Sequence, residues 1–174
     1  MKIDIARQPL VPAFMTLFAL AVAAMCAGIP VSDTSGAVRD ALPLLGGQLA
    51  RFQAAYPVWS KFAAGFMLLF TGMCAGRITI RYNLYTVGTC LPIPLYAIVA
   101  CGIATGGNYL AGFAASMLLA LATKNYCRAF CNGYGFDAIF RASLYLGLMP
   151  LVYAPGLPML LLSLIHISEP TRPY

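Results

Sequence analysis

Hydrophobic positions in this chain do not alternate with polar ones. They come in long runs separated by short polar segments. Residues 83–103 form the clearest run, with no charged side chain. As a helix rising about 1.5 Å per residue, that run is long enough to cross a bilayer. Comparable runs cover residues 11–31, 58–76, 107–123 and 138–153, and another begins at residues 157–161. The pattern predicts an all-α fold: a polytopic transmembrane helical bundle with five full spans and a truncated sixth. Residues 1–161 make one transmembrane domain.

The segments between the runs refine this picture. Residues 11–31 follow a basic start, which also suits a signal peptide. The run exceeds the usual 7–15-residue core of a leader and lacks a small-x-small cleavage site, so a retained helix is expected. Residues 32–57 form the longest connection. Val38, Leu42, Leu45, Leu49, Phe52 and Tyr56 recur at helical steps, interrupted at Pro43 and Gly46–Gly47, while Arg39, Asp40, Gln48, Arg51 and Gln53 lie off that stripe. The spacing predicts a broken amphipathic segment along an interface or a packed loop. Tyr56 and Trp59 open the second run at headgroup level, with Lys61 close enough to snorkel. Gly72 and Gly76, and again Gly102 and Gly106, are spaced four apart, as at close helix–helix crossings. Residues 77–82 are expected to be a tight basic turn. Pro92 and Pro94 are expected to kink the third span, the alternative being a broken helix lining a substrate path.

Composition supports lipid as the solvent. The chain is 61% hydrophobic and only 9% charged, with mean hydropathy +0.81. Soluble domains carry about a quarter charged residues, so this chain has too little polar surface to cover a globule. The net charge of +6 comes as single basic residues beside apolar runs rather than as a basic tract with interleaved aromatics. That placement speaks for topology signals and against nucleic acid. Lys2, Arg7, Arg77, Arg81, Lys124, Arg128 and Arg141 fall on one side of the predicted spans; Arg39, Arg51 and Lys61 fall on the other. The bias predicts a multi-pass protein of the bacterial inner (plasma) membrane with its N-terminus in the cytoplasm.

Chemistry-bearing motifs are sparse. The stretch LSLIHISEPTR at residues 162–172 resembles a translated sequencing-adapter or transposon end, so residues 162–174 are expected to be an artefactual tail and the natural C-terminus to lie elsewhere. Without that tail the chain has no His and only four acids: Asp4, Asp33, Asp40 and Asp137. No phosphate-cradling loop, HExxH or GxSxG is present. No catalytic residue, cofactor or metal site is assigned. Cys127 and Cys131 are four apart, yet a structural zinc needs four ligands, so they read as inert thiols. What remains is a cytoplasmic basic cluster of Arg77, Arg81, Lys124, Arg128 and Arg141, joined by Asn83, Asn125, Asn132, Tyr82, Tyr126 and Tyr134. It can contact an anionic lipid or phosphate. The competing reading is a set of topology anchors, with Asp137 pairing Arg141.

The stretch from RITIRYNLYTVGTCLPIPLY to ATKNYCRAFCNGYGFDAIFRASLYLGLMPLVYAPGLPMLLL is similar to uncharacterised multi-pass bacterial inner-membrane proteins. There an LP…Y span precedes a polar N…F turn and a helix ending in a Tyr-x-Pro hairpin. The resemblance covers most of residues 77–161 and implies a helical membrane fold; it carries over no catalytic residues and no mechanism. The expected function is a non-enzymatic cell-envelope or scaffold component. The alternatives are a fragment of a transporter with a proline-broken third helix, or of a lipid-linked saccharide enzyme. The expected partners are the lipid bilayer, anionic lipids, and a helix-mediated oligomer or membrane protein.

Overall fold

The computed structural model describes residues 10–26, 44–82, 90–103, 108–131, 135–156 and 158. Among them are six α-helices and no strand: α1 (Leu10–Cys26), α2 (Leu44–Ala55), α3 (Pro57–Arg81), α4 (Pro92–Ile103), α5 (Tyr109–Cys131) and α6 (Phe136–Val152), followed by a 3-10 turn at Ala154–Gly156. The described residues are therefore all-helical, as expected. One helix among the described residues, α3, is long and apolar enough to cross a membrane.

Helix α3 is the hub. It packs against α1 and α4 on one side and α5 on the other, while α6 lies on α5 and α2 touches α3, α5 and α6. Small residues make these contacts possible. On α1 the buried positions are Ala13, Leu17 and Ala21; on α4 they are Ile93, Ala97 and Ala100; on α6 they begin Ala138, Ala142 and Leu146. Each set repeats at three- or four-residue steps, one face of a helix. On α3, Gly65, Gly72 and Gly76 are buried. A Cβ at Gly72 would lie 2.7 Å from the Leu17 side chain, and one at Gly76 would lie 2.5 Å from that of Ile93. The Gly72–Gly76 pair therefore does sit at close helix crossings, to α1 and α4 in turn. Gly102 and Gly106 lie outside the residues whose surroundings are described.

These contacts also fix direction. Leu17 meets Gly72 and Met25 meets Gly65, so α1 runs antiparallel to α3. Ile93, at the start of α4, meets Gly76 near the end of α3. Ser60 and Tyr109, at the starts of α3 and α5, share a hydrogen bond of 2.6 Å, so these two helices are parallel. Val152, near the end of α6, packs with Ala111 near the start of α5, so α6 returns antiparallel. The helices α1, α3, α4, α5 and α6 thus alternate up and down. The ends of α3 and α5 and the starts of α1, α4 and α6 share one end of the bundle.

Several boundaries differ from the hydropathy pattern. Residues 77–81, expected in a tight turn, are the last part of α3. Hydropathy falls there, but Ile78 and Thr79 are buried and the Thr79 hydroxyl donates to Ala75 O at 2.9 Å, so packing carries the helix onward. In the same way α5 continues through Lys124 to Cys131, and Asp137 already belongs to the first turn of α6. Pro92 and Pro94 do not kink the middle of a continuous helix. Cys90 and Leu91 are non-helical and Pro92 is the first residue of α4. A first-turn N–H has no intrahelical acceptor, so a proline there forfeits no bond. Residues 83–89 lie outside the described residues, as do 27–43, 159–161 and the tail at 162–174.

Helix α2 divides its apolar stripe, packing Leu49 against the core. Leu45, Phe52 and Tyr56 are exposed, whereas Gly46 and Gln53 are buried. Gly46–Gly47 do not interrupt it. Gln53, off the apolar stripe, is 4% exposed, and its side-chain oxygen accepts from Leu110 N at 3.5 Å.

Candidate functional site

Two regions of distinct chemistry lie at opposite ends of the α3–α5 pair. At the end where these helices start, polar side chains tie helices together inside the core. Ser60 Oγ lies 2.8 Å from Pro57 O and 2.6 Å from Tyr109 Oη. A serine has one hydroxyl proton, which the carbonyl takes, so Tyr109 is the donor to Ser60. Tyr96 of α4 and Ser116 of α5 repeat the arrangement: Ser116 Oγ donates to Phe113 O at 2.8 Å and receives the Tyr96 hydroxyl at 3.1 Å. The sequence reading missed both pairs. The available signal was a serine inside an apolar run, which can satisfy its proton on its own helix and still accept from a neighbour.

At the other end, the last turns of α3, the start of α4 and Lys124 of α5 enclose a groove of about 600 Å³. Arg77, Arg81 and Lys124 line it, with Tyr82 beside them. Its apolar wall includes Phe70, Met73 and Ile80, all exposed, and the buried Ile78 and Ile93. No carboxylate among the described residues lines the groove. Among the described residues Asp137 is the one acid, and it pairs with Arg141 Nε at 3.0 Å.

The structure therefore divides the expected basic cluster. Arg77, Arg81 and Lys124 meet in one groove. Arg128 and Arg141 belong to the same end of the bundle but do not line it, and Arg141 is held by Asp137 as its spacing suggested. Asn125 turns its amide to Leu121 O at 2.9 Å. Asn83, Asn132 and Tyr134 lie outside the described residues.

Cys74, Cys90, Cys127 and Cys131 are free thiols, and among the described residues no three metal-ligating side chains gather. Burial raises the Cys127 thiol pKa, and the neighbouring Cys131 adds to the effect. Cys131 is exposed. Thiolate is the reactive form, so a raised pKa slows alkylation at neutral pH. In otherwise cysteine-free variants, iodoacetamide is expected to modify Cys131 faster than Cys127 at pH 7.5. The Cys127 rate should keep climbing as the pH passes the ordinary thiol range. Equal rates with the same pH dependence would contradict this assignment.

No family model, curated protein or solved structure matches the chain.

Proposed function

We propose that the chain is a multi-pass protein of the bacterial inner membrane with its N-terminus in the cytoplasm, acting as a non-enzymatic scaffold or cell-envelope component. The observation that carries this reading is the helix alternation. With α1, α3, α4, α5 and α6 running up and down, Arg77, Arg81, Lys124, Arg128 and Arg141 belong to one end, while Arg51 and Lys61 belong to the other. A positive-inside distribution needs that division.

The outer surface supports the same reading. Small residues face inward and large apolar ones outward: Phe14 and Phe18 on α1, Trp59, Phe62 and Phe66 on α3, and Ile98 on α4 are all exposed, Trp59 and Phe66 at 69% each. Water would penalise such a surface, whereas lipid rewards small residues at helix contacts and tolerates large ones outside. The hydroxyls of Ser60, Thr71 and Thr79 are satisfied within their own helix, as Thr71 to Met67 O at 2.7 Å, which suits an apolar solvent. Near the starts of α3 and α5, Phe52, Tyr56, Trp59 and Phe62 form an aromatic rim where an interface would lie. Helices α1 and α6 have 17 residues each, at the lower limit of about 17–25 for a span.

The test is topology in cells. The chain should sediment with membranes, resist alkaline extraction and dissolve only in detergent. Reporters at residue 1 and between Tyr82 and Cys90 should read out the cytoplasm, and one at residues 104–107 the opposite face. A chain that stays dissolved without detergent, or reporters at residue 1 and after Tyr82 on opposite faces, would overturn the proposal.

A transporter fragment is the second reading, and the non-helical Cys90–Leu91 segment directly before the proline-started α4 is the observation on its side. Cys90 is buried in the core cluster shared by α1, α3, α4 and α5, so a path there requires helices to part. Maleimide modification of Cys90 from the aqueous side during turnover of a solute would decide for the transporter.

A further inference from the structure

We infer that the groove at the end of α3 binds one anionic phospholipid, with its phosphate between Arg77, Arg81 and Lys124 and one acyl chain along Phe70, Met73 and Ile80. This rests on the membrane reading above.

Three features point to such a ligand. First, the groove gathers like charge: its three cations have no carboxylate among the described residues that line it. Arg77 and Arg81 stand one turn apart, where like charges repel, and Lys124 adds a third from a different helix. Second, positions near a helix C-terminus explain only part of the cluster. Arg81 lies in the last turn of α3, where the helix dipole favours cations. Lys124 lies well inside α5, before Cys131, and gains nothing from that dipole. Its place on the groove needs another cause, and an anion between it and the arginines supplies one. Third, the groove is amphipathic. A cationic rim beside exposed Phe70, Met73 and Ile80 matches a headgroup joined to an acyl chain. A volume of about 600 Å³ falls in the range of about 300–1,000 Å³ typical of small-ligand pockets. Free phosphate would leave most of it, and all of its apolar wall, unused.

The experiment uses the full chain purified in a neutral maltoside detergent. After exposure to equal amounts of phosphatidylglycerol and phosphatidylcholine, lipid retained through exhaustive washing is counted by mass spectrometry. About one phosphatidylglycerol per chain is expected, with little phosphatidylcholine. Each removed cation should weaken binding about fivefold, and Arg77→Gln with Arg81→Gln and Lys124→Gln about a hundredfold. Arg128→Gln with Arg141→Gln should retain the lipid. Equal retention of both lipids by the unmodified chain would overturn the proposal without any variant. So would unchanged retention in the triple variant, or displacement of the lipid by excess inorganic phosphate, which would mark a site for the bare anion. If the triple variant does not fold, Lys124→Gln alone carries the comparison, with Lys124→Arg expected to restore binding. Failure of the membrane reading shows separately, as a chain soluble without detergent.

Discussion

Gly76→Leu is expected to destabilise the bundle by about 3 kcal/mol, the upper end of what overpacking a tight core costs. The site has no slack. A single Cβ at Gly76 already reaches within 2.5 Å of Ile93 Cδ1 and Cγ1. Those atoms end a flexible side chain, but Ile93 is 1% exposed and has nowhere to retreat. A leucine there forces α4 away from α3. The size argument predicts a rescue: Gly76→Leu with Ile93→Ala conserves volume across the crossing and should recover much of the loss, as volume-conserving swaps do. Gly147, in the interior of α6, provides the opposite sign. A Cβ there meets nothing within 4 Å. Gly147→Ala should stabilise by about 0.5–1 kcal/mol, because only the conformational freedom of glycine is lost. Equilibrium unfolding of the detergent-solubilised chain measures all three variants. A Gly76→Leu protein as stable as its parent would mean that α3 and α4 do not cross closely at that point.

That prediction grows from a feature legible in the sequence. The Gly72–Gly76 spacing announced a close contact, although it did not say that two different helices, α1 and α4, would use the two glycines. The helical class and the pairing of Asp137 with Arg141 were also readable, because both depend on spacing within one element. Helix ends were not. A hydropathy run ends where side chains turn polar, whereas a helix ends where its backbone stops bonding, so α3 continues through Arg77 and Arg81 and α5 through Lys124. Prolines misled for a related reason. Pro92 reads as a defect only if helix precedes it, and Cys90–Leu91 are not helical. The buried face of α2 was not legible because the stripe of large apolar residues fitted an interfacial segment or a packed loop equally well, and neither says which small or polar residues meet the bundle. The bundle buries Gly46 and Gln53 and turns Phe52 and Tyr56 outward. The groove lay beyond reach for a different reason. Arg77 and Lys124 are far apart in the chain, and only the parallel course of α3 and α5 brings them together.

The Ser60–Tyr109 bond that sets this parallel course yields the second large effect, and its chemistry makes the outcome asymmetric. Ser60→Ala should cost about 1–2 kcal/mol, since it strands the Tyr109 hydroxyl, a donor buried at 4% exposure. Tyr109→Phe should cost only about 0.5 kcal/mol, because Ser60 keeps its proton on Pro57 O at 2.8 Å and loses merely an incoming donor. The double variant leaves no orphaned group, so it should be more stable than Ser60→Ala alone. That implies a coupling of about 1 kcal/mol between the two sites. Additive losses would mean the two hydroxyls do not depend on each other. A larger loss for Tyr109→Phe than for Ser60→Ala would reverse the donor assignment, with Ser60 then giving its proton to Tyr109 rather than to the carbonyl. The same asymmetry should appear, weaker, at Tyr96 and Ser116, where the bond is 3.1 Å and only partly buried.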